Sequence, residues 1–338
     1  MKAGDGCTPD GLPVEALYTR AEWAHDTGLP GMAPFVRGAR SPSEAVGPIV
    51  RSRIDCDEPG DANRAIREEI AGGADGVLVV LDDAACSGDF SRPAGEGGVA
   101  VRSIEDLAVL LDGIDPRIAR IDFSAGAAGA AFGQVLGEYQ EKHRRELQDH
   151  LRGTLGADPL GALARFGAHP GPVEQAIADA AGLAAHIDGH VAGVRVFGVW
   201  GTPYHKAGGT PAEEIAAALA SGLCYLRALV DAAMPLTRAA HHISFNLAAD
   251  ADFLGSIAKL RAFRRAWARV LDASGDAAAI AGLRLNAVTS QRMMAQRDPH
   301  TNLLRTTCAA AAAIIGGADA VTVLPFTERR GASALGRR

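Results

Sequence analysis

The chain is 338 residues long, carries a formal net charge of −6 from 34 Lys and Arg against 40 Asp and Glu, and is 48% apolar. At ~100–200 residues per domain the length allows one large domain or two ordinary ones, and the apolar fraction excludes wholesale disorder. An acidic chain without basic runs is a poor partner for nucleic acid or an anionic membrane, and its longest apolar stretch, 308–318, falls far short of the ~20 residues of a membrane span.

The N-terminus shows no apolar core of a secretory signal. The five cysteines, at 7, 56, 86, 224 and 308, form no C-x-x-C pair, so neither a disulfide framework nor a metal site is expected. A reducing cytoplasm is the expected compartment. Residues 1–60 read as an extended arm, with prolines at 9, 13, 30, 34, 42, 48 and 59 interrupting short apolar patches. An arm of this kind cannot bury itself and must lie on its own domain or on a partner chain.

From 61 to 338 the pattern becomes strand–helix alternation. A helix is predicted over 62–72 with Asp61 as N-cap, then a strand at 76–83 whose continuous apolar run marks burial on both faces. A helix over 103–111 opens on Ser103 and Asp106, a variant capping box. A strand at 119–124 and a long helix at 131–152 follow. Then come a helix at 172–186 with Pro at its start, a strand at 191–200, a loop to 209 and a helix at 211–231. The last units are strand 242–247, helix 252–273, strand 283–289, helix 301–315 stopped by Gly316-Gly317, and strand 320–325. Six strands are visible and a seventh is expected within 155–166. Such alternation defines parallel α/β. Asp82-Asp83, Asp122, the 201–209 loop, Asn246, Thr289-Ser290 and Thr327 gather after strand ends, where both a (β/α)8 barrel and a doubly wound sheet build their sites. Periodicity leaves these two architectures open.

Several motifs carry chemistry. The Gly-rich turn 124–133 follows a strand and opens a helix, as an anion cradle does, but lacks G-x-G-x-x-G and G-K-[ST]; an ordinary βα turn is the simpler reading. Asp188-Gly-His-Val-Ala-Gly193 matches D-x-H-x-x-G, a cobalt-ligating pattern, in a helix-to-strand context that reverses the required one. Tyr204 and His205 are candidate acid–base groups on a rim loop, since imidazole titrates near neutral pH. His241-His242 opens a strand, so neighbouring side chains face opposite ways. Lys259, Arg261, Arg264, Arg265 and Arg269 form a basic stripe on one helix, either a solvated face or a seat for a phosphorylated ligand or acidic partner.

Three stretches resemble the methylmalonyl-CoA mutase family. Residues 243–267, from Ile243-Ser-Phe-Asn to Ile257-Ala-Lys-Leu-Arg-Ala-Phe-Arg-Arg-Ala-Trp267, are similar to its S-F…I-A-K-L-R-A-x-R-x-x-W segment. Thr289-Ser290, Arg297-Asp-Pro-His-Thr-Asn302-Leu-Leu-Arg305 and Gly316-Gly317 are similar to its T-S…D-P-x-x-N-x-x-R…G-G segment. Leu17-Tyr-Thr-Arg-Ala-Glu-Trp23 and Gly28-Leu-Pro-Gly-Met-Ala-Pro-Phe-Val-Arg-Gly38 resemble its entry segment. The resemblance implies an acyl-CoA-binding TIM-type (β/α)8 barrel whose N-terminal arm wraps a partner subunit through Tyr18, Trp23, Pro34, Phe35 and Arg37. It also implies a chain that ends before the last barrel strand and before a cobalamin-binding domain.

The catalytic pattern of the family is altered here. Its G-Y-H-M-Q-E-A-G-A, aligned on Ala207-Gly208, puts Tyr and His on Thr202 and Pro203; a two-residue slip restores Tyr204 and His205. Its H-x-Q-T-S-G-W reads Asn286-Ala-Val-Thr-Ser-Gln-Arg292, and its T-M-Y-x-x-R-P-W loop becomes Ala39-Arg-Ser-Pro-Ser-Glu-Ala-Val46. Radical chemistry needs a dry, shaped cavity, and these are the groups that would form it. Their joint replacement, with 155–165, resembles the small non-catalytic subunit of a heterodimeric mutase. The resemblance therefore implies a large catalytic partner subunit and adenosylcobalamin at the level of the complex, with no cofactor on this chain. Tyr204 and His205 remain as degenerate catalytic positions; Arg264, Thr289 and Ser290 remain as degenerate substrate positions. The competing readings are a barrel for a different acyl-CoA mutase and a truncated barrel without function.

Overall fold

The computed structural model describes residues 6–15, 17–19, 27–41, 47–143, 150–189, 191 and 193–330. Eight parallel strands form one sheet: β1 (Ile49–Ile54), β2 (Gly76–Val80), β3 (Arg120–Ser124), β4 (Gly153–Ala157), β5 (Val194–Trp200), β6 (Ile243–Ala249), β7 (Arg284–Thr289) and β8 (Ala320–Thr322). β1 to β3 and β4 to β8 pair in sequence order, and β8 returns to β1, matching Ala320 with Ile49. This circular order is the (β/α)8 barrel and excludes the doubly wound alternative.

Between β3 and β4 the sheet closes without a full ladder. Ile121 N–H donates to the Arg152 carbonyl at 3.1 Å, and Ala125 and Gly126 N–H donate to the Gly156 carbonyl at 3.2 and 3.0 Å. This seam is tight enough to require glycine. A Cβ on Gly156, at φ +70°, would lie 2.0 Å from the Phe123 carbonyl oxygen, and one on Gly153 would lie 1.7 Å from that of Ile121.

Two expectations are corrected. The barrel does not lack its last strand: eight strands are present. The uncounted strand is β1, inside the stretch read as arm, where Arg51 and Arg53 break the apolar run of IVRSRI. The strand sought within 155–166 is β4, whose two glycines conceal it; α5 (Pro159–Phe166) takes the rest of that stretch.

Helices alternate with the strands and cover the barrel. They are α1 (Pro59–Ala71), α2 (Asp83–Ser87), α3 (Ile104–Leu110), α4 (Gly129–His143), α5, α6 (Val173–Ile187), α7 (Thr202–Lys206), α8 (Pro211–Asp231), α9 (Leu236–His241), α10 (Phe253–Ala273) and α11 (Thr301–Gly316). Local chemistry starts most of them. Pro59 opens α1, with Asp61 in its first turn rather than at the cap. The Ser103–Asp106 capping box of α3 forms as read, and α8 has its own from Thr210 and Glu213. Strand alternation divides the core: Phe245 faces outward, its ring 4.7 Å from Phe263 and 4.8 Å from Trp267 of α10, while Asn246 faces the axis.

The described part of the arm lies on its own barrel. Arg40 donates to the carbonyls of Ala281 (3.3 Å) and Leu283 (2.7 Å) and pairs with Asp319 at 2.7 Å. Phe35 packs against the core, Pro34 is half-buried, and Arg37 and Tyr18 are exposed. Trp23 lies outside the described residues. Residues Gly6–Cys7 and Pro13–Val14 make a short antiparallel pair. No helix among the described residues is long and apolar enough to cross a membrane.

Candidate functional site

The C-terminal ends of the strands enclose a cavity of about 160 Å³. Its walls include Arg53 of β1, Asp158 after β4, Arg165 of α5, Trp200 of β5, His205 of α7, Thr289 at the end of β7 and Ser290 after it. Thus the sequence signals at 200–209 and 289–290 do converge at the rim.

His205 is the centre of a buried network. Its Nε2 lies 2.7 Å from Ser290 Oγ and 3.4 Å from Asp250 Oδ2, and its Nδ1 is 3.8 Å from Glu214 Oε2. Glu214 is engaged elsewhere: Lys259 Nζ donates to it at 2.6 Å and the Ala248 N–H at 2.7 Å. Arg292 donates to the His205 carbonyl at 2.8 Å, and its backbone N–H to Ser290 Oγ at 3.1 Å. Burial pulls the His205 pKa down, helped by Lys259 and Arg292 and opposed by Glu214 and Asp250. A neutral imidazole that accepts the Ser290 proton satisfies this arrangement. Tyr204 does not line the cavity; burial, and then the charge of Asp158, raise its phenol pKa. Thr289 Oγ1 accepts from the Leu324 N–H at 2.8 Å.

Asp158 is a rim group that pattern reading missed. Both of its carboxylate oxygens are engaged, by the Tyr225 hydroxyl at 2.6 Å, the Gly161 N–H at 3.0 Å and the Trp200 N–H at 3.0 Å. Burial still wins, pushing its pKa up to about 6. The signal available was Asp158-Pro159, a cap followed by Pro at a helix start.

Beneath the cavity the barrel axis is filled by charge. Arg51 of β1 pairs with Asp122 of β3 at 2.9 Å, and donates to Thr322 of β8 at 2.8 Å and Asn246 of β6 at 3.0 Å. Arg120 closes on the other Asp122 oxygen at 2.9 Å, and Asn286 of β7 donates to Asn246 at 3.2 Å. Arg51 and Asp122 have fully buried side chains. Asn286, which stands where the family motif has His, is part of this axial network.

Other candidates turn out to be structural. Arg264 is 2% exposed, does not line the rim cavity, and donates to the carbonyls of Val36 (2.8 Å), Gly316 (2.7 Å) and Gly317 (2.9 Å). Read from the sequence as a degenerate substrate position, Arg264 here ties the arm, α10 and the end of α11 together. The basic stripe divides: Lys259 is buried against Glu214, while Arg261, Arg265 and Arg269 line an outer groove with Val36. The Gly-rich turn packs closely; a Cβ on Gly126 would lie 2.4 Å from the Cys86 carbonyl oxygen. His242 Nε2 lies 3.1 Å from Asp188, which also binds Arg238. His190 lies outside the described residues.

A parallel (β/α)8 barrel with a cavity at the C-terminal ends of its strands is the architecture of a large class of enzymes. Within that class the chain belongs to the methylmalonyl-CoA mutase family: the family model for methylmalonyl-CoA mutase matches residues 7–334. It is 40% identical over 324 residues to the methylmalonyl-CoA mutase small subunit of Streptomyces virginiae, covering 95% of this chain and 49% of that protein. It is 36% identical over 322 residues to the probable small subunit of Mycobacterium bovis, with the same coverages of 95% and 49%. The small subunit of Propionibacterium freudenreichii subsp. shermanii is 31% identical over 334 residues, covering 96% and 48%. The chain thus spans about half the length of the curated relatives it matches.

Proposed function

We propose that this chain is the non-catalytic barrel of an adenosylcobalamin-dependent methylmalonyl-CoA mutase, the complex that interconverts (R)-methylmalonyl-CoA and succinyl-CoA. A large catalytic subunit is its partner. The observation that carries this reading is the Arg51–Asp122 pair on the axis, which leaves above it a cavity of about 160 Å³. Small-molecule sites usually occupy ~300–1,000 Å³, so the rim holds a small group at most. The names of the relatives, small subunits in three organisms, support a larger partner.

The rim residues do not fit a cobalt ligand. The His205 Nε2 is engaged by Ser290 and its imidazole is half enclosed by carboxylates of Glu214 and Asp250. We therefore assign the cofactor to the complex and give this chain a supporting role: it holds the arm, the barrel wall and the contact with the partner.

The test is co-expression with a large methylmalonyl-CoA mutase subunit. A stable one-to-one complex that turns over methylmalonyl-CoA, with no turnover by this chain alone in added adenosylcobalamin, is the expected result. Turnover by the isolated chain overturns the reading.

A further inference from the structure

The rim cavity holds a serine and an imidazole in the relation of nucleophile and base. Ser290 follows β7 and His205 lies on α7; both line the cavity, with Ser290 3% and His205 5% exposed. Ser290 Oγ accepts from the Arg292 N–H at 3.1 Å, so its own proton is directed at His205 Nε2, 2.7 Å away. The other ring nitrogen, Nδ1, faces Glu214 at 3.8 Å, too far for a hydrogen bond, so this carboxylate acts on it by charge. Glu214 is itself fixed, by Lys259 Nζ at 2.6 Å and the Ala248 N–H at 2.7 Å. Asp250 Oδ2 stands 3.4 Å from Nε2 and favours the imidazolium that forms once the serine proton has moved. A nucleophile hydrogen-bonded to a base that neighbouring carboxylates favour is the arrangement of acyl-transfer catalysts.

The surroundings suit a small acyl group. At about 160 Å³ the cavity is below the ~300–1,000 Å³ of most small-molecule sites. Val80, Ala248, Val288 and Leu324 give it apolar walls, and the Arg51–Asp122 pair closes the axis beneath. Lys206 lines the same cavity beside Arg53 and Arg165. Asp83 takes Arg165 at 2.6 Å; Glu328, a carboxylate that Lys206 feels, is held by Arg53 at 3.1 Å and by Gln291. The Lys206 ammonium is thus the cation placed to meet negative charge developing on an acyl oxygen.

We propose that Ser290 and His205 hydrolyse small carboxylic esters at this rim, a chemistry separate from the mutase reaction and independent of the subunit reading above. Ser290 Oγ adds to the ester carbonyl carbon as its proton passes to His205 Nε2. The tetrahedral adduct collapses, the bond from that carbon to the alcohol oxygen breaks, and His205 gives the proton to the departing alcohol. Water then adds to the acyl-serine and gives a proton to His205. Ser290 Oγ leaves with that proton as the carboxylic acid is released. Lys206 meets the oxyanion in both steps.

The test is release of p-nitrophenol from p-nitrophenyl acetate by the full chain, with peptide mass spectrometry of the acid-quenched protein. The expected result is a burst of p-nitrophenol and an acetyl group on Ser290, with p-nitrophenyl octanoate cleaved about tenfold more slowly or worse because its chain exceeds the cavity. Ser290→Ala removes the burst and His205→Gln lowers kcat/KM about a hundredfold or more, while Arg265→Gln, in the outer groove of α10, changes neither. Burial, with Lys259 and Arg292, holds the His205 pKa below its ordinary value of 6.5 against Glu214 and Asp250. The acid limb of kcat/KM therefore has its midpoint below pH 6.5 and is missing in His205→Gln. If a variant does not fold, the position of the acetyl group on the unaltered chain decides alone. Acetylation confined to lysines or the N-terminus, or hydrolysis that Ser290→Ala retains, overturns the proposal.

Discussion

At the scale of single residues, the axis of the barrel turns on Asp122. Burial alone raises its pKa, but Arg120 and Arg51 outweigh that and hold the carboxyl below its ordinary value. Asp122→Asn strips two buried guanidiniums of their counter-ion, and is expected to cost ~3–5 kcal/mol in urea unfolding. Replacing the whole triad by Arg51→Met, Arg120→Met and Asp122→Leu is expected to recover most of that loss, because apolar groups of similar volume need no desolvation. Asp158 behaves in the opposite sense. Its folded pKa of about 6 stands above the ordinary carboxylate value of 3.8, so the folded state holds its proton more tightly than the unfolded state does. The stability this contributes is present below pH ~4 and is lost as pH rises to ~6, about 3 kcal/mol in all. Asp158→Asn is expected to flatten that slope in a pH series of unfolding curves, while losing the bond accepted from the Trp200 N–H at every pH.

At the scale of elements, the long helices and apolar strands were readable because each follows a period. In α10, Leu260, Phe263, Trp267 and Leu271 are buried at helical spacing, and Trp267→Ala is expected to cost ~3–5 kcal/mol through the cavity it leaves. β1 was not readable, and β4 was placed only roughly, within 155–166 rather than at Gly153–Ala157. β1 turns Arg51 toward a carboxylate on β3, 71 residues away, so its charge looks exposed until the partner is known. β4 is written in glycines whose reason is the neighbouring strand, not the strand itself. Gly156→Ala is expected to open the β3–β4 seam and to lower the thermal midpoint by more than an alanine at Gly137, which meets nothing within 4 Å.

At the scale of the whole molecule, the arm and α10 are one structure. Arg264 ties Val36 to Gly316 and Gly317, and Arg40 ties the arm to Asp319 before β8. The arm is therefore already ordered on this barrel between 27 and 41, with Arg37 exposed. If the partner binds the folded chain, mass action raises its stability by about 2.7 kcal/mol at a hundredfold excess over Kd. A thermal midpoint that rises with the concentration of the large subunit, and less so for Arg37→Ala, is the expected outcome.

The sequence by itself determined the α/β class, most helix boundaries and family membership, because these rest on local period, caps and contiguous motifs. It also brought Thr289, Ser290 and His205 to one rim, since strand ends in a parallel barrel share a face. Only the tertiary structure decided that the barrel has eight strands, that Arg264 is a structural tie, and that His205 meets Ser290 and Glu214. The physical reason is common to all three. A charged or glycine residue takes its meaning from a partner brought close by the closing of the sheet, and no local pattern records that distance.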